Sequence, residues 1–380
     1  MKVAELRSSL KKNNIIFFTY KKITDHDYRS NFFDYLRHKC YKNRDRVKYE
    51  ISLIRDYWKC DPAFYFRYRL FEKNLSTEDL LDYIPPYYFY NFYMPSLYKD
   101  AHISLTGSKI RMNEFFESRK IDTPAIKAVV RNGNIFGSSG ELITYSKLKD
   151  RIRNSPANVH FLKPDHGRGG KGIMKIERTG DELFIDNEFI DSESFRKLTL
   201  NNTFVIQEGI RQRSDLRAIY PASVNTLRVI TQSFDGKAQI IAVVLRMGRN
   251  GSFVDNSSFG GVFSPVEINS GKLADHACLL HDPKKFDSHP DTGFRFSGFK
   301  LEGWDKIRQD VLRFVEKAPE FPDVAWDIAL LDDKIMAIEI NLNYGLDHLQ
   351  CSIGGMRRKL NVTPAPAYLQ TGIRKYFLHP

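Results

Sequence analysis

Apolar residues change their spacing partway along the chain. Up to about residue 100 they recur at helical intervals, as in Ile51, Ile54, Tyr57 and Trp58. Ser76-Thr77-Glu78-Asp79 reads as a helix start. The Ser76 hydroxyl can accept from backbone N–H groups, and the acids suit the positive end of the helix dipole. Pro85-Pro86 ends that helix, because proline offers no N–H and clashes with the preceding turn. From about 105 to 150 the pattern is mixed, with a helix expected around 111–118, a strand over 125–130 and a tight turn at Arg131-Asn132-Gly133-Asn134. Beyond 158 short alternating runs dominate. They predict strands over 159–163, 173–177, 182–186, 204–208, 227–234 and 239–247, several separated by Gly or Asn turns. A helix near 305–317 precedes a last hairpin, 325–331 and 335–340, turned by Asp332-Asp333-Lys334. The fold class is α+β with antiparallel sheets.

Composition narrows the class. A chain of 380 residues with 42% hydrophobic and 27% charged content is globular, which excludes a disordered or fibrous protein. No apolar run approaches the roughly 18–20 residues that span a bilayer. Ile15-Ile16-Phe17-Phe18 is far too short, and no signal-peptide pattern opens the chain, so a cytoplasmic protein is expected. Cys40, Cys60, Cys278 and Cys351 are widely spaced and fit reduced thiols better than a disulfide frame or a zinc site. The formal charge of +12 admits anionic partners, but it is spread thinly and no RNA or DNA module is visible, so nucleic acid is not expected. Residues 1–100 hold 24 of the 50 aromatic residues, with a block at Tyr87-Tyr88-Phe89-Tyr90-Asn91-Phe92-Tyr93. Such a block is a packing seam between domains first and a stacking platform for bases or sugar rings second.

The strongest local feature is Lys163-Pro164-Asp165-His166-Gly167-Arg168-Gly169-Gly170-Lys171-Gly172. Glycines let backbone N–H groups approach an anion without side-chain obstruction, and the lysines add charge. A Rossmann glycine loop opens a helix, whereas this one runs into the alternating Ile173-Met174-Lys175-Ile176-Glu177. A phosphate-binding Walker loop needs Ser or Thr after its lysine, and Lys171 is followed by Gly172. The kinase His-Arg-Asp and Asp-Phe-Gly signatures are missing. What remains is strand, glycine loop, strand: a lid over a triphosphate. At the far end of the chain Asp327 interrupts an apolar strand. Glu339 and Asn341, two apart, point to one face of the next. Acids placed so suit a bound cation, and hard oxygen donors suit Mg²⁺.

These parts, in this order, resemble the ATP-grasp superfamily. Val205-Ile206-Gln207-Glu208-Gly209-Ile210 looks like the hinge strand that reads adenine, with Gln207, Glu208 and Ile210 beside the base and Glu208 toward its amino group. Asn225-Thr226-Leu227-Arg228, Leu245-Arg246-Met247-Gly248 and Asp255-Asn256 with Gly260-Gly261 follow in register, and Lys109 matches a phosphate-contacting lysine. With His289-Pro290-Asp291-Thr292-Gly293 and Trp326-Asp327-Ile328-Ala329, the closer resemblance is to the sugar-transfer associated branch, related to α-L-glutamate ligases.

The resemblance implies an ATP-grasp fold, two α+β subdomains sandwiching ATP, behind a helical N-terminal domain. The expected division is 1–100 helical, 101–158 leading subdomain, 159–210 glycine-loop subdomain and 211–380 metal and substrate subdomain. ATP would lie on Lys109, Lys163, Gly167, Gly169, Gly170, Lys171, Gly172, Gln207, Glu208, Ile210 and Asn256. Asp327, Glu339 and Asn341 would hold a pair of Mg²⁺ ions, with Mn²⁺ able to substitute. The implied reaction is carboxylate–amine ligation through an acyl phosphate, in surface-polysaccharide or related biosynthesis, with Arg228 and Arg246 as catalytic cations. The alternative is a phosphotransferase acting on a sugar-like hydroxyl. Small-molecule or glycan carboxylates and amines are the expected partners, with His289, Asp347, His348, Arg357 and Arg358 as candidates for the acceptor side. A peripheral seat at the inner face of an anionic membrane is a further expectation.

Overall fold

Strand alternation builds two antiparallel sheets, whose long strands lie in one of the two compact units of the chain. The computed structural model describes residues 24–38, 41–167, 169–280, 282 and 284–364. Ile15-Ile16-Phe17-Phe18, Cys40 and Arg168 lie outside them. One unit takes the described residues of Met1–Tyr98, Cys278–Lys285 and Asn343–Pro380; the other takes Lys99–Ala277 and Phe286–Leu342.

In the first sheet of the larger unit the spatial order is Leu142–Ile143, Asn134–Phe136, Ile126–Arg131, Thr203–Glu208, Val159–Pro164, Met174–Thr179, Glu182–Ile185 and Glu188–Phe189. One face is apolar. Ala128, Val130, Leu162 and Ile206 form a core with Leu148 and Ile152 of the helix Tyr145–Arg153 and Phe195 of the helix Ser192–Leu198. Because side chains alternate along a strand, Phe161, Lys163 and Gln207 fall on the other face. In the second sheet Val262–Pro265, Lys237–Met247, Thr226–Phe234, Asp323–Leu330 and Ile335–Asn341 lie side by side. The helix Trp304–Glu316 sets Phe314 against Trp326, 6.2 Å between ring centres, and Phe116 of the helix Lys109–Ser118 stacks on the same indole at 6.1 Å. Phe116 and Trp326 are fully buried, and a buried large apolar side chain stabilises a fold by about 1.5–3 kcal/mol.

The smaller unit is helical and aromatic. Ser76 caps the helix Thr77–Leu81, its Oγ accepting from the Asp79 N–H at 3.1 Å. The aromatic block winds through a π-helical turn, Phe89–Tyr93, and buries Phe89 and Met94 completely. It packs within its own unit, on the segment 343–364, which the resemblance assigns to the C-terminal subdomain. Phe89 meets Tyr344 edge-on at 5.3 Å, and the Leu346 N–H donates to Tyr90 Oη at 2.8 Å. Gln350, fully buried, accepts from the Ile84 N–H (2.7 Å) and donates to the Ile84 carbonyl (2.8 Å). Cys60, Cys278 and Cys351 are free thiols. Among the described residues no helix is long and apolar enough to cross a membrane.

Candidate functional site: a cavity between glycine loop and acidic strands

The glycine loop is anchored before it is charged. Ser108 caps the helix Lys109–Ser118, and its Oγ donates to both oxygens of Asp165, at 2.9 and 3.1 Å. Asp165 also accepts from the Ile110 N–H at 3.0 Å, so a buried carboxylate fastens the loop to the helix start, where negative charge is favoured. Beyond it the chain turns through Gly169, Gly170 and Gly172 at φ of +65°, +83° and +71°, conformations that side chains other than glycine resist. A Cβ on Gly169 would meet Asn256 Nδ2 at 3.6 Å, and one on Gly170 would meet Val254 at 3.5 Å. The glycine loop therefore faces the loop 253–256 across a cavity.

Two lysines enter this cavity with no carboxylate partner among the described residues. Lys109 Nζ donates only to backbone, to the Gly167 carbonyl at 3.1 Å and the Asp165 carbonyl at 3.4 Å. Lys163 Nζ donates to Gln207 Oε1 at 2.8 Å, and Gln207 Nε2 donates to the Pro124 carbonyl at 3.0 Å. Burial lowers the Lys109 amine, and burial with the nearby Lys109 charge brings Lys163 down to about 8. Glu208 departs from expectation. Next to Gln207 on a strand, its side chain points to the opposite face, where Oε1 is held by Lys127 Nζ (2.6 Å) and Ser155 Oγ (2.5 Å). Glu208 borders the cavity, but its carboxylate is committed elsewhere and does not reach for an adenine amino group.

The second sheet supplies the acids. Register sets Asp327 directly opposite Arg228 on one neighbouring strand and opposite Glu339 on the other, while Thr226 pairs with Arg246. Arg228 grips Asp327 with a fork, Nε to Oδ1 and Nη2 to Oδ2, both 2.8 Å. Arg246 Nη2 reaches Asp327 Oδ2 at 2.9 Å and Thr226 Oγ1 at 2.7 Å. Burial would raise the Asp327 carboxyl, but Arg228 and Arg246 hold it far below the usual carboxylate range. Glu339 is pushed up, first by burial and then by the Asp327 charge. Asn341 Nδ2 donates to Glu339 Oε1 (2.9 Å) and Asp327 Oδ2 (3.3 Å). No group of three or more His, Cys, Asp or Glu gathers to hold a metal among the described residues. The candidate set is two carboxylates and a carboxamide. It fits a divalent cation, because added positive charge relieves the crowding that raises Glu339 and these are hard oxygen donors.

Of the residues predicted for nucleotide, metal and catalysis, all but Gly172, Arg228 and Asn341 border this one cavity. Asn341 joins through Glu339. Arg228 stands behind Asp327, so its expected grip on a substrate carboxylate gives way to a grip on Asp327. The late-loop candidates for the acceptor are occupied. His289 is buried, Nε2 on the Gly248 carbonyl at 2.9 Å, with its ring stacked on Tyr220. Asp347 accepts from Tyr68 Oη at 2.5 Å, and Arg358 binds Asp82 (3.0 Å), Asp79 (2.7 Å) and Glu78 (3.0 Å). Asp347, His348, Arg357 and Arg358 all belong to the helical unit. Sequence reasoning missed Ser108, Asp165 and the role of Thr226. Asp165 lay inside the glycine segment, and Thr226, two before Arg228, shares its strand face.

A lysine-lined glycine loop between antiparallel strands, facing a sheet with paired acids, defines a nucleotide-phosphate site of the ATP-grasp kind. A profile of the sugar-transfer associated ATP-grasp family matches residues 88–363, and the chain belongs to that family. No curated protein matches the sequence. Among solved structures, the chain is similar to carboxyaminoimidazole ribonucleotide synthase from Aspergillus clavatus complexed with ATP (14% identity, 72% of this chain and 55% of that one, TM-score 0.37). It is also similar to D-alanyl-alanine synthetase A from Vibrio cholerae (11%, 67% and 60%, 0.38) and to a biotin carboxylase–ATP complex from Campylobacter jejuni (11%, 68% and 46%, 0.40). The chain spans about half to three fifths of the length of these structures.

Proposed function

We propose that the protein is an ATP-dependent carboxylate–amine ligase that activates a carboxylate as its acyl phosphate and passes the acyl group to an amine. The observation that carries this reading is the cavity's charge layout: Lys109 and Lys163 with no carboxylate in ion-pair range among the described residues on one wall, Asp327 and Glu339 side by side on the other. Phosphates would answer the first; Asp327, Glu339 and Asn341 would hold Mg²⁺, which would supply positive charge to offset that of the phosphates. Backbone N–H groups of the glycine loop hold the triphosphate, and Lys163, fixed by Gln207, supplies charge that strengthens when phosphate arrives. Phe161 stacks on Phe253 at 5.9 Å and, with Ile210, offers the base an apolar berth. Arg246 faces the cavity and stabilises the oxyanion that develops as the amine attacks, while Arg228 keeps Asp327 ionised and aimed.

The acceptors we propose are anionic, glycan-related carboxylates with an amine partner, which suits the basic chain. The test is ADP and phosphate release from Mg²⁺-ATP across a matrix of carboxylates and amines, with products weighed by mass spectrometry. A ligase frees phosphate only when both partners are present and yields a product lighter by one water than their sum. Phosphate retained on a sugar hydroxyl would instead identify a kinase.

A further inference from the structure

Asp255 is a carboxylate of the cavity wall that the scheme above leaves without work. It follows the long strand Lys237–Met247, in a loop packed so tightly that a Cβ on Gly261 would lie 2.9 Å from the Asp255 carbonyl. Its two oxygens are treated unequally. Oδ2 accepts from the Thr226 N–H (3.1 Å) and from Thr226 Oγ1, with Arg246 Nη2 at 3.5 Å. Oδ1 takes no hydrogen bond from any described residue, yet it is not among the sealed, unpartnered polar atoms, and Asp255 borders the cavity. One oxygen is clamped and the other is offered to the site. The placement is telling. Arg246 Nη2 lies 2.9 Å from Asp327 Oδ2 and 3.5 Å from Asp255 Oδ2, so Asp255 flanks the oxyanion-stabilising arginine at the nitrogen that also reaches Asp327.

We propose that Asp255 receives the acceptor amine: Oδ1 accepts a hydrogen bond from the incoming ammonium, positions its nitrogen beside Arg246, and takes the proton that must leave before attack. This rests on the ligase reading. The step balances as acyl phosphate plus ammonium giving amide, hydrogen phosphate and one proton. The nitrogen lone pair forms the C–N bond and the acyl C–O bond to phosphate breaks. One ammonium proton passes to Asp255 and on to solvent, and a second leaves with the phosphate. Burial raises the Asp255 carboxyl, which makes it a better base than a solvated aspartate. An ammonium here also meets a carboxylate already oriented by Thr226, so binding orders only the ligand.

The test compares wild type with Asp255→Asn, using the carboxylate identified in the matrix above and two nucleophiles. One is the acceptor amine, an ammonium at neutral pH; the other is hydroxylamine, which is uncharged there and needs no proton removed before attack. Amide formation by Asp255→Asn is expected to fall on the order of 10²–10³-fold and to rise with pH as the free amine appears. Hydroxamate formation is expected to fall far less, and Mg²⁺-ATP should still raise the melting temperature of the variant. Equal loss with both nucleophiles, or an amide rate unchanged with an unaltered pH profile, overturns the assignment. If wild type itself makes no hydroxamate from any carboxylate, the ligase reading fails and Asp255 loses its role with it.

Discussion

Two glutamates, Glu50 of the helical unit and Glu339 of the cavity, keep opposite company. Glu50 is completely buried and every lone pair is answered: Lys42 Nζ lies 2.8 Å from both oxygens, Arg46 Nε 2.8 Å from one, and Tyr65 Oη donates at 2.5 Å to the other. Glu339 sits beside a second carboxylate, and its acid is pushed up by burial and that neighbour. The cations differ in the same way. Lys42 is paired with a carboxylate, whereas Lys163 rests on a neutral amide and is depressed to about 8. Both regions are rich in buried charge. In the helical unit the charges complete one another and hold a shape; in the cavity Asp327 is paired with Arg228 and Arg246, while Lys109, Lys163 and Glu339 have no ion-pair partner among the described residues. Group-wise imbalance, rather than charge or burial alone, marks the site.

The contrast can be broken by substitution. Glu50→Ala leaves the largely buried Lys42 without its carboxylate, with the half-exposed Arg46 free to turn to solvent, and should cost about 3–5 kcal/mol in a denaturant titration, because breaking a buried pair is costly. A loss under 1 kcal/mol would remove Glu50 from the framework. Arg246→Ala should leave the melting temperature in the presence of Mg²⁺-ATP raised while slowing ligation by roughly 10²–10³, or about 2.7–4 kcal/mol of transition-state stabilisation. Steady-state rates decide it, and near-normal turnover would return oxyanion stabilisation to another group. Tyr90→Phe deprives the buried Leu346 N–H of its acceptor and should destabilise by about 1–3 kcal/mol, showing that 343–364 completes the helical unit. A further effect is one of pH. Burial holds Lys163 at about 8, below its ordinary value of 10.5, so between these values the unfolded chain binds more protons than the ligand-free native state. Native stability should therefore climb with pH across that window, and Lys163→Met should flatten the climb. Equal slopes in urea titrations at pH 8 and above would contradict the assigned burial.

Much of the cavity was legible in the chain. Glycines between two alternating runs identify the loop, and acids interrupting apolar strands identify the opposite wall, because both signals are local. Strand alternation puts Gln207 and Glu208 on opposite faces, which the resemblance to a hinge strand does not show and the pairing of Glu208 with Lys127 does. Other features depend on partners far away in sequence. Arg228 meets Asp327 only through sheet register, 99 residues apart, and Ile84 meets Gln350 across 266. Short strands such as Asn134–Phe136 and Leu142–Ile143 lack the length for a period to show. The helices Tyr145–Arg153 and Ser192–Leu198 bury only two residues and one respectively, which is too narrow a stripe to read against their charged neighbours.

Lys163→Met tests the central claim most directly, through melting curves of wild type and variant with and without Mg²⁺-ATP. If Lys163 is held unbalanced for phosphate, removing its charge leaves the ligand-free protein at least as stable. The variant should also lose most of the stabilisation that saturating nucleotide confers, about 2.7 kcal/mol at one hundred times the dissociation constant. A variant that melts earlier without nucleotide and is still fully stabilised by Mg²⁺-ATP would make Lys163 a structural charge like Lys42, and the proposed seat for the triphosphate would be wrong.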